Sequence, residues 1–309
     1  MADDLLHARP KFNIGQSSLS VGPIAYGCWR FAGTEVAPAQ AKIEAALACG
    51  MTLIDTADIY GKGSPGGFGS AEELLGEVLK AQPGLRYDMV LASKGGIWPG
   101  TPYNSSKAYL TTACEKSLNR LNTETIDLYQ IHRPDLLTPM AEVAEALSAL
   151  RSQGKIREAG VSNFTPSQFR ALQAHLDFPL ASQQPEFSAL ELSPVFDGTL
   201  DLCQEFGALA LAWSPLGGGR LMTGQADTAE GQTRLDNVIK ALDDIAEKNN
   251  TDRAAAALAF TMVHPAGVIP IIGTQTPARI TEAARAAKVK ISRTDWYGVL
   301  QASIGARLP

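Results

Sequence analysis

Short apolar runs and amphipathic stretches take turns from Ile24 to Lys288, and no other feature restricts the possible folds as much. The strand candidates are Ile24–Cys28, Leu53–Asp55, Met89–Ser93, Ile126–Ile131, Glu158–Val161, Leu180–Gln183, Leu209–Trp213 and Val268–Ile272. Helical spacing fills the gaps at Pro38–Cys49, Ala71–Lys80, Lys107–Leu121, Pro139–Gly154 and Pro166–His175. It continues at Leu200–Gly207, Leu235–Asn249, Asp252–Val263 and Pro277–Lys288, with a last helix at Thr294–Ile304. Such alternation calls for a parallel sheet, because each crossover helix must pack back on the sheet with right-handed connectivity. Runs without polar alternation are buried on both faces, as parallel strands are. Eight units in 309 residues fit the α/β class and a closed (β/α)8 TIM barrel. The competitor, an open doubly wound sheet, needs a G-x-G-x-x-G turn after its first strand, and the residues following Cys28 hold none. No linker or composition break divides the chain, so residues 1–309 read as one barrel domain. Residues 11–24, with turn residues at Asn13, Gly15, Gly22 and Pro23, read as an N-terminal β-hairpin.

Composition narrows the function classes. The formal net charge is −5 with no basic block, which argues against nucleic acid and anionic membrane as partners. The start, Met1-Ala2-Asp3-Asp4, is acidic, and no apolar run reaches the length of a membrane span. Neither signal peptide nor anchor is expected, and the cytoplasm is the default location. Cys28, Cys49, Cys114 and Cys203 lie far apart with no C-x-x-C pair, so neither a zinc site nor a disulfide scaffold is expected.

In a barrel the carboxyl ends of all strands meet on one face, where catalytic groups collect. The residues there are Trp29, Asp55 with Tyr60, Ser93-Lys94, His132, Ser162-Asn163, Gln183-Gln184, Trp213-Ser214 and Gly273-Thr274. Apolar strands thus end almost uniformly in polar or aromatic groups. Taken singly, Asp55 reads as a helix cap, Tyr60 as a packing residue, Lys94 as a lysine snorkelling to solvent and His132 as a structural histidine. Together they make coherent chemistry. A carboxylate holds a lysine, and the ammonium lowers a neighbouring tyrosine's pKa. The imidazole orients a carbonyl oxygen, and the phenol donates a proton to a developing alkoxide.

The motifs that carry this set occur in a familiar order: Asp55-Thr-Ala-Asp-Ile-Tyr60-Gly, Ser70-Ala-Glu-Glu-Leu-Leu-Gly76, Ser93-Lys94, Ile126-Asp-Leu-Tyr-Gln-Ile-His132 and Gly160-Val-Ser-Asn-Phe164. Gln184-Pro-Glu-Phe-Ser188, Trp213-Ser-Pro-Leu-Gly217 and Ile269-Pro-Ile-Ile-Gly-Thr274 follow. From Gly22 to its end the chain resembles the aldo-keto reductases. His132-Arg-Pro-Asp135 with Trp213-Ser-Pro-Leu-Gly-Gly-Gly-Arg-Leu221 is most similar to a little-characterised bacterial oxidoreductase branch.

The resemblance implies a catalytic tetrad of Asp55, Tyr60, Lys94 and His132, with Tyr60 the general acid in reduction. It implies a nicotinamide cofactor bound without a Rossmann fold, no metal, and a small carbonyl substrate, an aldehyde or ketone. Ser162, Asn163 and Gln184 match the carboxamide contacts, and Trp213 the ring that stacks on the nicotinamide. Ser214, Leu216 and the glycines Gly217, Gly218 and Gly219 would line the pyrophosphate, with Arg220 adding charge. Trp29, Thr274 and Glu282 complete the implied cofactor contacts. Gly273 stands where many members carry a lysine, while Arg279 matches a contact to the 2′-phosphate. NADPH is expected rather than NADH. The chain ends soon after Trp296, without the longer loop of other branches, which implies an open, less selective pocket. Gly61–Gly69 and Gly95–Ser106 read as mobile lids. Two other readings stand beside the reductase. One is an NADPH-binding regulatory or redox-sensing subunit with little turnover. The other is a barrel hydrolase using Asp55 and Glu186, which leaves Lys94, Asn163 and Trp213 without roles.

Overall fold

All eight apolar runs become strands, and each pairs in parallel with its neighbours in sequence. The computed structural model describes residues 4–309 except Gln16. Met1–Asp3, in the acidic start, and Gln16, in the stretch expected to form the hairpin, lie outside the described residues. The strands are β1 (Ala25–Gly27), β2 (Leu53–Asp55), β3 (Val90–Gly95) and β4 (Ile126–Ile131). They continue with β5 (Ile156–Ser162), β6 (Ser182–Gln184), β7 (Leu209–Ala212) and β8 (Val268–Ile272). Pairing of Ile271 with Ala25 and of Ile272 with Tyr26 joins β8 to β1 and closes the barrel.

Helices α1 (Val36–Ala48), α2 (Ser70–Ala81), α3 (Lys107–Arg120), α4 (Met140–Ser152) and α5 (Pro166–Gln173) form the first half of the outer ring. The second half holds α6 (Thr199–Phe206), α7 (Ala229–Lys248), α8 (Arg253–Met262), α9 (Pro277–Ala283) and α10 (Arg293–Ile304). Local chemistry sets many of their ends. At α5, Thr165 and Gln168 form a reciprocal capping box with Pro166 in the first turn. Pro277 also begins a helix, but Thr276 makes no side-chain cap, and 277–288 splits into α9 and a 3-10 turn over Ala284–Lys288. Helix α7 starts at Ala229, ahead of the predicted Leu235. Thr228 caps it by accepting from the Gly231 N–H, and its polar first turns leave no apolar stripe to read.

Side chains alternate across each strand. Leu53, Val90, Ala92, Leu128, Leu209, Leu211, Ile269 and Ile271 fill the barrel, and Phe12, Ile14 and Val21 pack against them. The last three come from the expected hairpin, in which Phe12–Asn13 pairs antiparallel with Ser20–Val21. The opposite faces of the strands, with Ile54, Leu91, Tyr129, Ile131 and Val161, pack against the helices.

Three features depart from the sequence reading. Leu5–Leu6 pairs antiparallel with Ile291–Ser292. The segment read as a lid over Gly95–Ser106 contains a hairpin, Ile97–Trp98 against Thr101–Tyr103. Its Trp98 packs edge-on against Tyr109 of α3 at 5.3 Å, and the Tyr109 hydroxyl donates to the Ile97 carbonyl at 3.0 Å. The Gly61–Gly69 insert is also cross-bonded: Ser64 Oγ donates to the Gly61 carbonyl at 2.7 Å and Ser70 Oγ to the Gly67 carbonyl at 2.9 Å. Among the described residues, no helix is long and apolar enough to cross a membrane.

Candidate active site

The hydrogen-bond ladder between β2 and β3 runs on past the end of β2. The Thr56 N–H donates to the Ala92 carbonyl at 2.9 Å, and the Asp58 N–H to the Lys94 carbonyl at 3.0 Å. Asp55 shares the inner face with Leu53, and Lys94 with Val90 and Ala92, so the ladder sets carboxylate beside ammonium inside the barrel. Lys94 Nζ donates to Asp55 Oδ2 at 2.7 Å, to the Thr56 carbonyl at 2.8 Å and to the Tyr60 hydroxyl at 3.2 Å. The side chain is fully buried, so these acceptors replace water and the residue does not snorkel. Burial pulls the Lys94 pKa down, but Asp55 and Tyr60 outweigh it and hold the ammonium above its usual value.

Tyr60 is half-buried, and burial raises its phenol above the usual value, with Lys94 pulling the other way. Lys94 lowers it as expected, but the net direction is upward, because desolvation of a phenolate outweighs the adjacent ammonium. Tyr60 is then a neutral phenol at neutral pH, the form a proton donor requires. His132 meets it edge to face, with ring centroids 5.7 Å apart. Burial, Lys94 and Arg133 all drive the imidazole pKa well below its usual value, so it is neutral.

Two glutamines secure the far side of Asp55. Its Oδ1 accepts from Gln184 Nε2 at 3.1 Å and from Gln130 Nε2 at 3.4 Å, and Gln130 Oε1 accepts from Ser182 Oγ at 3.1 Å. The sequence reading missed Gln130. Its one signal is a polar residue on the inward register of an apolar strand, two positions before His132.

The second group brought together is Ser162, Asn163, Gln184 and Trp213. Ser162 Oγ donates to the Gln184 carbonyl at 2.9 Å. Asn163 Nδ2 donates to Ser162 Oγ at 2.8 Å and to the His132 carbonyl at 3.2 Å. Trp213 Nε1 donates to Asn163 Oδ1 at 3.0 Å, which fixes the half-buried indole at the mouth and ties it to the tetrad. Past Trp213, Ser214 has φ 50°, and Gly217, Gly218 and Gly219 have φ 61°, 68° and 100°. This left-handed turn accounts for the glycines, since a Cβ on Gly218 or Gly219 would meet nothing within 4 Å. Successive N–H groups in such a turn suit an anion. Ser214 and Leu216 are half-buried beside it. Arg220 clips the turn, donating to the Gly217 carbonyl at 2.8 Å, and pairs with Asp227 at 2.6 Å, so part of its charge is already met.

The remaining predicted contacts are less joined. Tyr26 OH donates to the Thr274 carbonyl at 3.2 Å, and Gln275 Nε2 to the Gly273 carbonyl at 3.2 Å. Lys42, which the sequence reading did not single out, donates to Gln275 Oε1 at 3.0 Å. Arg279 and Glu282 are exposed on α9, and their side chains make no hydrogen bond or ion pair among the described residues. Trp29 is 62% exposed and, among the described residues, stacks only with Arg30, at 5.2 Å. A nicotinamide dinucleotide fits this donor set: a fixed indole, a row of backbone N–H groups and an exposed arginine.

Comparison with known proteins agrees with the geometry. The profile of the Aldo/keto reductase family matches residues 23–302. A 6-dehydroglucose reductase of Novosphingobium aromaticivorans is 49% identical over 299 residues, 96% of each chain. A second 6-dehydroglucose reductase, from Agrobacterium fabrum, is 40% identical over 93% of this chain and 96% of its own. The crystal structure of an aldo/keto reductase from Klebsiella pneumoniae in complex with NADP and acetate superposes with TM-score 0.76 at 28% identity. That match covers 97% of this chain and 96% of the other.

Proposed function

The chain belongs to the aldo/keto reductase family of oxidoreductases, and from that premise we propose that it reduces aldehydes and ketones with NADPH, sugar aldehydes of the 6-dehydroglucose kind among them. The observation that carries the reading is Lys94 Nζ, buried between Asp55 at 2.7 Å and the Tyr60 hydroxyl at 3.2 Å.

Bound NADPH supplies the hydride. Trp213, Asn163, Ser162 and Gln184 would hold its ring, the Gly217–Gly219 turn and Arg220 its pyrophosphate, and Arg279 its 2′-phosphate, which favours NADPH over NADH. Tyr60, a neutral phenol at neutral pH, gives its proton to the carbonyl oxygen as the alkoxide develops. Lys94 then stabilises the phenolate, and Asp55, held by Gln130 and Gln184, keeps Lys94 in place. Neutral His132 beside Tyr60 steers the carbonyl oxygen without competing for its proton. The two relatives named for 6-dehydroglucose support a sugar aldehyde as the substrate.

Loss of reduced-nicotinamide absorbance with a 6-aldehyde sugar, run with NADPH and with NADH, tests the reading. Tyr60→Phe should bind NADPH normally yet turn over roughly 10²–10⁴-fold more slowly. Unchanged turnover would assign the proton to another group.

A further inference from the structure

The mouth of the barrel carries a cation, Arg133, whose side chain has no hydrogen-bond or ion-pair partner among the described residues. Among the described residues six arginines are half-buried: Arg86, Arg120, Arg133, Arg151, Arg220 and Arg253. Five of them donate to carbonyl or carboxylate oxygens. Arg133 makes no hydrogen bond and no ion pair; its guanidinium carbon lies over the Trp213 ring, 5.7 Å from the centroid. Glu186 lies within its field without pairing to it.

Its setting is rigid. The indole beneath it is held by Asn163, and Asn163 is held by the His132 carbonyl one peptide away from Arg133. The guanidinium is therefore backed by a hydrogen-bonded indole, and among the described residues its N–H groups meet no acceptor. A partly desolvated guanidinium without acceptors costs free energy, and a ligand that brings acceptors recovers it. The planar fork matches two oxygens set side by side better than it matches one. Because Arg133 directly follows His132, those oxygens belong on the same molecule as the carbonyl that His132 orients.

We propose that Arg133 selects carbonyl substrates carrying a pair of oxygen acceptors away from the reacting carbon, either vicinal hydroxyls of a sugar chain or a carboxylate. The proposal rests on the reductase reading above. Its test compares wild type, Arg133→Gln and Arg133→Lys on three aldehydes with NADPH: glyceraldehyde, succinic semialdehyde and butanal. NADPH affinity is followed separately by fluorescence.

Arg133→Gln should raise KM roughly 10- to 100-fold for an oxygenated aldehyde, the loss expected for hydrogen bonds to a charged group. Its kcat, its KM for butanal and its NADPH affinity should stay unchanged. Arg133→Lys separates the sources: a point charge restores the carboxylate arm and leaves the vicinal-hydroxyl arm impaired. An equal loss on all three aldehydes, no loss on either oxygenated one, or a matching fall in NADPH affinity overturns the proposal. Wild type that reduces none of the three, nor a 6-aldehyde sugar, overturns the reductase reading itself.

Discussion

Replacing Lys94 by Met removes the ammonium and leaves the Asp55 carboxylate in a buried site with only Gln130 and Gln184 as donors. Breaking a buried ion pair from one side costs about 3–5 kcal/mol, because the surviving charge has lost its counterion. That is a large share of the roughly 5–15 kcal/mol that holds a domain folded. Asp55→Asn strands the ammonium in the same way. The double variant strands neither charge, so the two losses should not add, and a coupling of about 1–3 kcal/mol is expected. Urea midpoints of wild type, both single variants and the double variant measure this directly. Activity should behave differently: the two variants without Lys94 stay slow because neither keeps an ammonium against the Tyr60 hydroxyl, and Asp55→Asn stays slow because the ammonium has lost the carboxylate that holds it there. A double variant whose destabilisation equals the sum of the singles would show that the two groups are not energetically paired. Recovery of turnover along with stability would remove Lys94 from the chemistry.

Asp58, three residues from Asp55, should respond in the opposite direction. Its carboxylate is buried and meets no side-chain donor among the described residues, and burial together with Glu72 pushes its pKa well above the usual value. A raised folded-state pKa gives stability that is complete below the unfolded value, about 3.9, and is lost as pH rises through the folded value. Asp58→Asn should therefore raise the urea midpoint at neutral pH and flatten the decline above pH ~4; a lower midpoint would mean that the carboxylate is needed. His132 has the reverse sign. Its depressed pKa gives stability that is complete above the unfolded value, about 6.5, and is lost as pH falls through the lower folded value. The profile of kcat/KM should carry no histidine inflection near 6.5, and one that His132→Gln abolishes would show a normally titrating imidazole.

The strands were readable because a parallel barrel strand is buried on both faces, so one short apolar run contains all the information its placement needs. That Asp55, Tyr60, Lys94 and His132 come together was readable for a related reason. Asp55, Lys94 and His132 each interrupt the polarity of a strand at its carboxyl end, and the closed topology alone brings such ends together. What escaped notice depends on partners far away in sequence. Gln130 matters through Asp55 and Ser182, and Leu5–Leu6 becomes a strand only against Ile291–Ser292. In the 97–103 hairpin, Trp98 and Thr101–Tyr103 are exposed, so that half of it offers no apolar face to read. The net direction at Tyr60 was hidden for the same reason. A charged neighbour can be inferred from motif order, but desolvation depends on everything packed around the phenol. In the proposed mechanism a phenol is protonated at neutral pH with or without burial, and burial makes release of its proton harder, which the ammonium beside it partly offsets. Two opposed influences thus meet on one hydroxyl, and only the weaker of them could be inferred from residue order.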